Sequence, residues 1–243
     1  MRSAFLKKHI PALFLLASVV SFSGCNKETL RGHGEVVSRT RTVGTFDEID
    51  AGGEFEIYLT QGPAKEIVLE GQENILADLS TTTHNNRLKL KYHHHNVKID
   101  EPVRIYITTP NLTEINVSGA NKVQGLTDWK VRDLEISSSG SGEISLTLRD
   151  ADYVESDISG SGKINLRGNA YHHDLDISGS GELNAFDFKT AKTDVHISGS
   201  GKSDVWVTDE LKANISGSGR VRYKGNPSVS TSISGSGKVQ KWD

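Results

Sequence analysis

The sequence has few of the residues that build a compact globular core. Its 243 residues include one cysteine, one methionine, three tryptophans and five prolines, and 35% of the chain is hydrophobic. A single cysteine excludes an internal disulfide, so packing and hydrogen bonds must hold the fold together. The hydrophobic content is low for a globule with one thick core, whereas a solenoid needs only a narrow core column. Composition therefore favours a solenoid.

Neither sign of charge is concentrated in a run. The first 24 residues hold three basic residues, and beyond them 25 basic residues face 31 acidic ones. The net charge of the chain beyond residue 24 is therefore about −6, and residues of both signs are interspersed along it. This pattern argues against nucleic acid or an anionic membrane surface as the partner.

Residues 1–24 have the organisation of a bacterial lipoprotein signal peptide. Three basic residues precede an apolar stretch, residues 10–20, which is too short to span a bilayer well. Ser23 and Gly24 then lead into Cys25, and this junction resembles the lipobox, although Phe22 stands where leucine is usual. We predict that Cys25 is lipidated and attaches the protein to a membrane. The alternative is an ordinary secretory signal with a chance cysteine nearby.

A repeated motif dominates the rest of the chain. Ser-Gly-Ser-Gly starts at six serines and a variant, Ser-Gly-Ala-Asn, starts at a seventh, with successive spacings of 21, 20, 19, 20, 18 and 18 residues: Ser118, Ser139, Ser159, Ser178, Ser198, Ser216 and Ser234. Isoleucine or valine precedes most copies, and a charged residue followed by an apolar one comes after them. A flexible linker would not keep this apolar frame.

The repeat predicts an all-β fold, a right-handed parallel β-helix with rungs of about 18–21 residues. Alternation along one copy places Ile158, Gly160, Gly162 and Ile164 on the inward face and the serines on the outward face. The inward glycines would let the chain turn a corner without crowding the core. Neighbouring copies would then stack their apolar faces, and the outward serines would form a ladder.

Residues 42–114 also alternate as β-strands, with turn signals between them. Residues 49–57 resemble a degenerate copy of the repeat, so we expect wider first rungs that cap the column and run continuously into the repeat region, residues 115–243. Residues 25–41 are predicted to be a polar tether.

Several motifs in order resemble the GIN-domain family: Phe46–Asp50, Asn74–Leu76, Ile107–Leu112, the serial Ser-Gly-Ser-Gly copies and Tyr223–Pro227. The resemblance covers residues 40–243. It implies a β-helical, adhesin-like protein, secreted or anchored at the envelope of a Gram-negative bacterium. It implies no cofactor and carries no catalytic residues. An outer-membrane location follows from the resemblance together with Cys25, with the periplasmic or surface face left open.

Three polar or aromatic features are candidates for binding sites. His93, His94 and His95 have a spacing compatible with a metal ion, but the preferred interpretation is a solvated stretch beside a turn, and the same holds for His172–His173. Trp206 is expected to point outward and to pack over a neighbouring rung, although an exposed tryptophan could stack on a sugar. No metal site and no binding residue is therefore assigned.

An enzyme is the less favoured interpretation. Polysaccharide-active β-helices need clustered carboxylates in a cleft, and here the outward acids are spread along the column: Glu143, Asp157, Asp176, Glu182 and Asp204. Ser-Gly-Ser-Gly also lacks the helix and lysine of a phosphate-binding loop. Two functions of different class remain, a surface scaffold that presents a glycan- or protein-binding face and a structural envelope protein that self-associates.

Overall fold

Parallel strands stack on one another in a solenoid of about six turns. This is a computed structural model, and it describes residues 29–242. Within this range one six-residue helix interrupts an otherwise all-β chain. The β-helical fold predicted from the repeat is confirmed.

The repeat region forms ten strands that pair in parallel, rung on rung. The longest strands bend at a corner and so contribute to two sides of the coil. Their bounds are β10 Glu114–Gly119, β11 Lys122–Lys130, β12 Asp133–Gly140, β13 Glu143–Gly160, β14 Lys163–Gly179, β15 Glu182–Gly199, β16 Lys202–Gly217, β17 Arg220–Lys224, β18 Ser228–Gly235 and β19 Lys238–Lys241.

The N-terminal region combines parallel rungs with antiparallel pairs. Its elements are β1 Thr29–Arg31, β2 Val36–Arg41, β3 Glu48–Gly53, β4 Glu56–Gln61, β5 Ile67–Gln72, α1 Glu73–Asp78, β6 Leu79–His84, β7 Arg87–Tyr92, β8 Asn96–Lys98 and β9 Arg104–Thr109. Residues Asn85 and Asn86 both have positive φ in the turn between β6 and β7, as the two-residue hairpin requires.

Core side chains form rows because the rungs align in register. The residue before each motif copy except the last, together with Ala51 of the degenerate copy, falls in one buried row: Ala51, Val117, Ser138, Ile158, Ile177, Ile197 and Ile215. A second buried row follows the corner: Ile57, Val123, Ile144, Ile164, Leu183, Ser203 and Val221. The apolar residues around the motif therefore pack rung against rung, as the repeat predicts.

The two glycines of each motif have different roles, and one was assigned to the wrong face. Gly162 is buried as predicted, but Gly160 is exposed and has φ +115°. The strand ends at Gly160, so alternation does not continue through the corner. A Cβ at Gly160 would lie 2.8 Å from the carbonyl oxygen of Gly140 on the preceding rung. Glycine is required there by backbone conformation and rung contact.

The degenerate first copy is confirmed. β3 pairs in parallel with β10 from Glu48↔Glu114 to Gly53↔Gly119, in the same register that later copies use. The prediction of a tether over residues 25–41 is wrong from Thr29 onward, because β2 pairs antiparallel with β5. The guanidinium of Arg41 hydrogen-bonds the carbonyl oxygens of Leu76 and Leu79, and these bonds fix this strand to the body of the protein.

The C-terminal rung leaves its core positions open. All eight residues of β18 are exposed, and Val229 and Ile233 are 41% and 42% exposed although they align with buried residues of β16. Within the described part of the chain no later strand covers this edge.

Candidate functional site

The predicted lipidation residue, Cys25, lies outside the described residues. Among residues 29–242 no helix is long and apolar enough to cross a membrane.

The histidine triplet contacts a carboxylate that the sequence did not indicate. His94 Nδ1 lies 2.6 Å from Asp78 Oδ1, and the backbone N–H of His94 donates to Asp78 Oδ2 at 3.1 Å. Hydrogen bonds to His94 help to hold the pKa of Asp78 below its usual value against the opposing effect of burial. This pair fastens the loop after β7 to the end of α1, which is a structural role.

The prediction of a solvated pair at His172–His173 is wrong for His173. His173 is buried, its Nε2 lies 3.0 Å from Ser156 Oγ, and its ring packs edge-on against Phe188. Burial, with a smaller contribution from His172, lowers the pKa of His173 to about 3. Strand alternation turns His173 inward, into the row that holds Val154 on the preceding rung.

Trp206 lies on the outer face between two buried valines, as expected. Its ring is half-buried, and Lys189 from the neighbouring rung places its Nζ 5.7 Å from the ring centroid. Trp206 therefore packs over an adjacent rung.

One side of the coil carries stacked carboxylates. Glu135, Glu155, Asp174 and Asp194 occupy one row, and Asp157 and Asp176 occupy the next outward row. Burial first, and then the neighbouring carboxylates, raise the pKa values of Glu155 and Asp157. This side of the molecule would repel an anionic ligand.

One trio in the acidic side has the side chains of a cation site. Asp174, Asp176 and His196 place potential ligand atoms within 4.8 Å of one another, the one such group among residues 29–242. Asp176 and His196 are exposed, and His196 Nε2 already lies 3.0 Å from Asn214 Nδ2. The trio by itself assigns no metal.

The side of the coil formed by β11 and β13–β16 carries an open groove of about 570 Å³. Its floor is a row of outward hydrogen-bonding side chains, one from each rung: Gln124, Ser145, Asn165, Asn184 and Asp204. We call this row the groove floor. Asn165 Nδ2 donates to Glu143 Oε1 at 2.8 Å, and Asn184 Nδ2 donates to Asn165 Oδ1 at 2.8 Å. These bonds hold the amides in fixed orientations.

A β-bulge builds the wall of the groove. The register between β15 and β16 shifts between Ala185 and Lys189, so residues 186–188 have no partner on β16. Strands with extra residues bend locally and re-aim their side chains. Phe186 and Asp187 consequently line the groove, and the next residue, Phe188, packs into the core.

Aromatic pairs stand at both ends of the groove floor. Tyr58 and Tyr106 extend the row beyond Gln124, and their rings stack with centroids 5.1 Å apart. At the other end Phe186 stacks on Trp242 at 6.0 Å. Aromatic rings that are half-buried or, at Trp242, exposed, beside planar amide and carboxylate groups, suit a ligand that presents both hydroxyls and apolar ring faces.

Positive side chains cover the Phe186–Trp242 pair. The Arg222 guanidinium carbon lies 4.5 Å from the Trp242 centroid, and Lys224 Nζ lies 4.6 Å from the Phe186 centroid. Arg222 also donates through Nε to Asp204 Oδ1 at 2.7 Å, and this hydrogen bond is the main reason that the pKa of Arg222 is raised.

The groove brings together acids that were predicted to be spread along the column. Glu143 and Asp204 both line it, together with Asp187, whereas Asp157 and Asp176 lie on the acidic side. Glu143 is engaged by Asn165, and Asp204 is engaged by Arg222. Glu143 and Asp204 are therefore held in hydrogen bonds that a catalytic acid or base would have to break.

The chain matches the model of a known family over residues 45–227. That family is described as "Putative auto-transporter adhesin, head GIN domain". The chain belongs to this family. The resemblance seen in the sequence motifs is therefore confirmed. A comparison with curated proteins found no match.

Solved structures from Parabacteroides and Bacteroides species share the fold of this GIN-domain protein. A "putative lipid binding protein" from Parabacteroides distasonis is 26% identical with a TM-score of 0.75, and the match covers 89% of this chain and all of that one. A "putative adhesin" from Bacteroides fragilis is 24% identical with a TM-score of 0.81, covering 88% and 100%. A "putative adhesin" from P. distasonis is 25% identical with a TM-score of 0.73, also covering 88% and 100%.

The groove of this GIN domain is not evident in its sequence, because the floor residues lie about 20 positions apart. One signal was present. Asn165 and Asn184 each stand two places after the charged residue that follows a motif copy. Aligning the copies by their glycines would have placed both amides in one outward row.

Proposed function

We propose that this protein is a non-catalytic, adhesin-like protein of the bacterial cell envelope that binds glycan chains in the groove. The groove floor carries the proposal. It is an outward row of oriented amide, hydroxyl and carboxylate groups that runs between two aromatic pairs. Sugars offer hydroxyls at their edges and apolar faces on their rings, so a row of hydrogen-bonding groups with aromatic rings at both ends matches their chemistry.

The location of the protein is part of the proposal. Cys25 would carry the lipid that holds the chain to a membrane, expected to be the outer membrane of a Gram-negative cell. A column of about six stacked turns would display the groove at a distance from the lipid. Membership of an adhesin-like family and the likeness to structures named adhesins support an envelope role. Many tethered copies would strengthen weak single contacts by multivalency.

A double substitution on the groove floor tests the proposal. Asn165→Ala with Asn184→Ala removes two oriented amides, and Asn116→Ala with Asn214→Ala makes the same chemical change on the acidic side of the coil, in the row of Asp157 and Asp176. Two lost hydrogen bonds predict about a tenfold loss of affinity for any glycan that binds the wild type. The control double variant should retain wild-type affinity. Circular dichroism would verify that both variants are folded.

The assay is a glycan array read with multivalent protein, followed by calorimetry on each hit. Release of reducing ends from a bound polysaccharide would contradict the non-catalytic part of the proposal. Phospholipid vesicles belong in the same experiment, because one similar structure is named a lipid binding protein. Vesicle binding that survives the floor substitutions, with a blank array, would contradict the glycan assignment.

Self-association is a second candidate function, and the last rung favours it. β18 exposes two apolar core positions and contains no charged residue. Natural sheets usually block such an edge with charge or proline. Ile233→Lys would place a charge on this edge, and sedimentation velocity would then show whether dimers or longer assemblies of the wild type are lost.

A further inference from the structure

Charged side chains beside the groove floor alternate in sign from rung to rung. On each strand the residue two positions before the groove-floor row is charged, and these residues lie in register in the order Arg104, Glu56, Lys122, Glu143, Lys163, Glu182 and Lys202. Each charge is flanked along the column by charges of the opposite sign, and rungs lie about 4.8 Å apart. Two neighbours in the row, Lys163 and Glu182, are close enough for an ion pair, at 3.8 Å. We call this row the charge ladder.

The alternation stops at the C-terminal end of the groove. Lys202, Arg220 and Lys238 follow one another in register, so three like charges stack on successive rungs. All three side chains are exposed, and among residues 29–242 none of them forms an ion pair within 4.0 Å. We call these three residues the cation row. Like charges directly opposite each other destabilise a strand pair, so the row is electrostatically unfavourable without an anion.

The cation row and the floor belong to the same surface. Lys202 stands two residues before Asp204 of the groove floor, and Arg220 stands two residues before Arg222, which covers the Trp242 ring. Alternation along a strand puts residues i and i+2 on one face. A ligand that lies on the floor and contacts the Phe186–Trp242 pair therefore reaches the cation row.

Two of the three carboxylates near the cation row are already engaged, and the third, Asp187, is exposed on the groove wall. Asp204 is held by Arg222, and Glu182 lies opposite Lys163. In the cation row Lys202 lies in register with Glu182, which is paired with Lys163, whereas Arg220 and Lys238 have no acidic neighbour in register among the described residues. Another side of the coil carries stacked acids that repel anions. An anionic group is therefore favoured at one end of one groove only.

We infer that the glycan bound in this groove is acidic, with its carboxylate or sulfate groups placed over Lys202, Arg220 and Lys238. This rests on the proposed glycan-binding function and names the class of ligand. Arginine binds carboxylate and sulfate oxygens with paired N–H donors, and the two lysines add point charges on either side of it.

The matched ligands for the test are oligogalacturonate and its fully methyl-esterified form, which share a backbone and differ in charge. A sulfated oligosaccharide of similar length distinguishes sulfate from carboxylate as the source of the negative charge. Binding of each to the full chain, purified in mild detergent, is measured by calorimetry at low and at physiological salt. We expect at least about tenfold tighter binding of one acidic ligand than of the neutral ester, with the difference reduced by salt.

The variant is Lys202→Gln, Arg220→Gln and Lys238→Gln together. The matched control removes three exposed lysines from other surfaces, Lys65→Gln, Lys91→Gln and Lys130→Gln, and so changes net charge equally. The cation-row variant should lose about tenfold or more in affinity for the acidic ligand and keep its affinity for the ester. The control should stay within about twofold of the wild type.

The outcomes separate this inference from the proposed function. Equal binding of acidic and neutral ligands, lost in the Asn165→Ala and Asn184→Ala variant, would overturn the acidic assignment and leave the glycan-binding function standing. No binding of any glycan would overturn both. Equal losses in the cation-row variant and its control would show that net charge alone acts, and would overturn the inference. The inference would also be overturned if anionic phospholipid vesicles bound through the cation row while acidic glycans did not bind.

Discussion

The corner glycine offers the sharpest test of how the rungs stack. In Gly160→Ala the new Cβ would sit 2.8 Å from the Gly140 carbonyl oxygen, on a residue whose φ is +115°. Holding a side chain in that backbone region costs about 1–3 kcal/mol. Pushing the carbonyl aside adds overpacking of about 1–3 kcal/mol, because backbone moves less readily than a side chain. We therefore expect a loss of about 2–6 kcal/mol in the free energy of unfolding.

Two further variants separate strain from crowding. Gly34 has φ +85°, and a Cβ added there would meet no atom within 4 Å, so Gly34→Ala measures the backbone conformation alone. Ser159→Ala lies on the exposed ladder and should cost less than about 0.5 kcal/mol. Urea unfolding followed by circular dichroism should rank the losses Gly160→Ala, then Gly34→Ala, then Ser159→Ala. Equal losses at Gly160 and Ser159 would refute the assignment of the corner.

Three other predictions follow from single residues. Cys25→Ala should release the protein from the membrane fraction, and a wild-type protein unlabelled by a fatty-acid probe would contradict lipidation. The folded pKa of His173, about 3, lies below its unfolded value, so its contribution to stability should be complete above about pH 6.5 and lost as pH falls toward 3. In His173→Asn that part of the pH dependence should disappear from urea titrations, and an unchanged slope would contradict it. Asp157→Asn should stabilise the fold by a few tenths of a kcal/mol at neutral pH and low salt, and an effect that is unchanged at about 0.5 M NaCl would exclude charge repulsion as the cause.

The solenoid could be predicted from sequence because its core rows repeat the same side-chain class. Ile158 and Ile177 hold equivalent places in their copies, and even the degenerate residues 49–57 align with the next rung, through β10 and then β11. In the Ser139 copy Ser138 takes the inward place of isoleucine, and Ile136 remains in its own buried row. Periodicity survives such exceptions because each rung is held by the rungs on both sides.

Three features could not be read from the chain, and each has a local cause. Strand alternation predicts that Gly160 faces inward, but the positive φ of Gly160 ends the alternation at the corner. Residues 29–41 look polar, yet β2 forms an edge strand that needs few apolar side chains to pair. His173 shares the inward face of its strand with Leu175 and Ile177, but its side chain is polar and exposed Tyr171 two places earlier breaks the alternation, so residue type indicates a solvated position.

The groove is formed by residues of different rungs, so its composition depends on the pairing register between the strands. Each floor residue is separated from the next by a whole turn of chain, so its neighbours in space are set by register. The bulge at residues 186–188 then breaks the symmetry of the stack and supplies a wall at one place.

The two ends of the groove are chemically different, and this difference gives the site a direction. Tyr58 and Tyr106 form an aromatic end beside the balanced part of the charge ladder, whereas Phe186 and Trp242 form an aromatic end beside the cation row. A repeated rung alone would make a surface on which a chain ligand could slide by one step without changing its contacts. Because the ladder changes from alternating charges to three like charges at Lys202, an acidic chain has one favoured register and one favoured orientation.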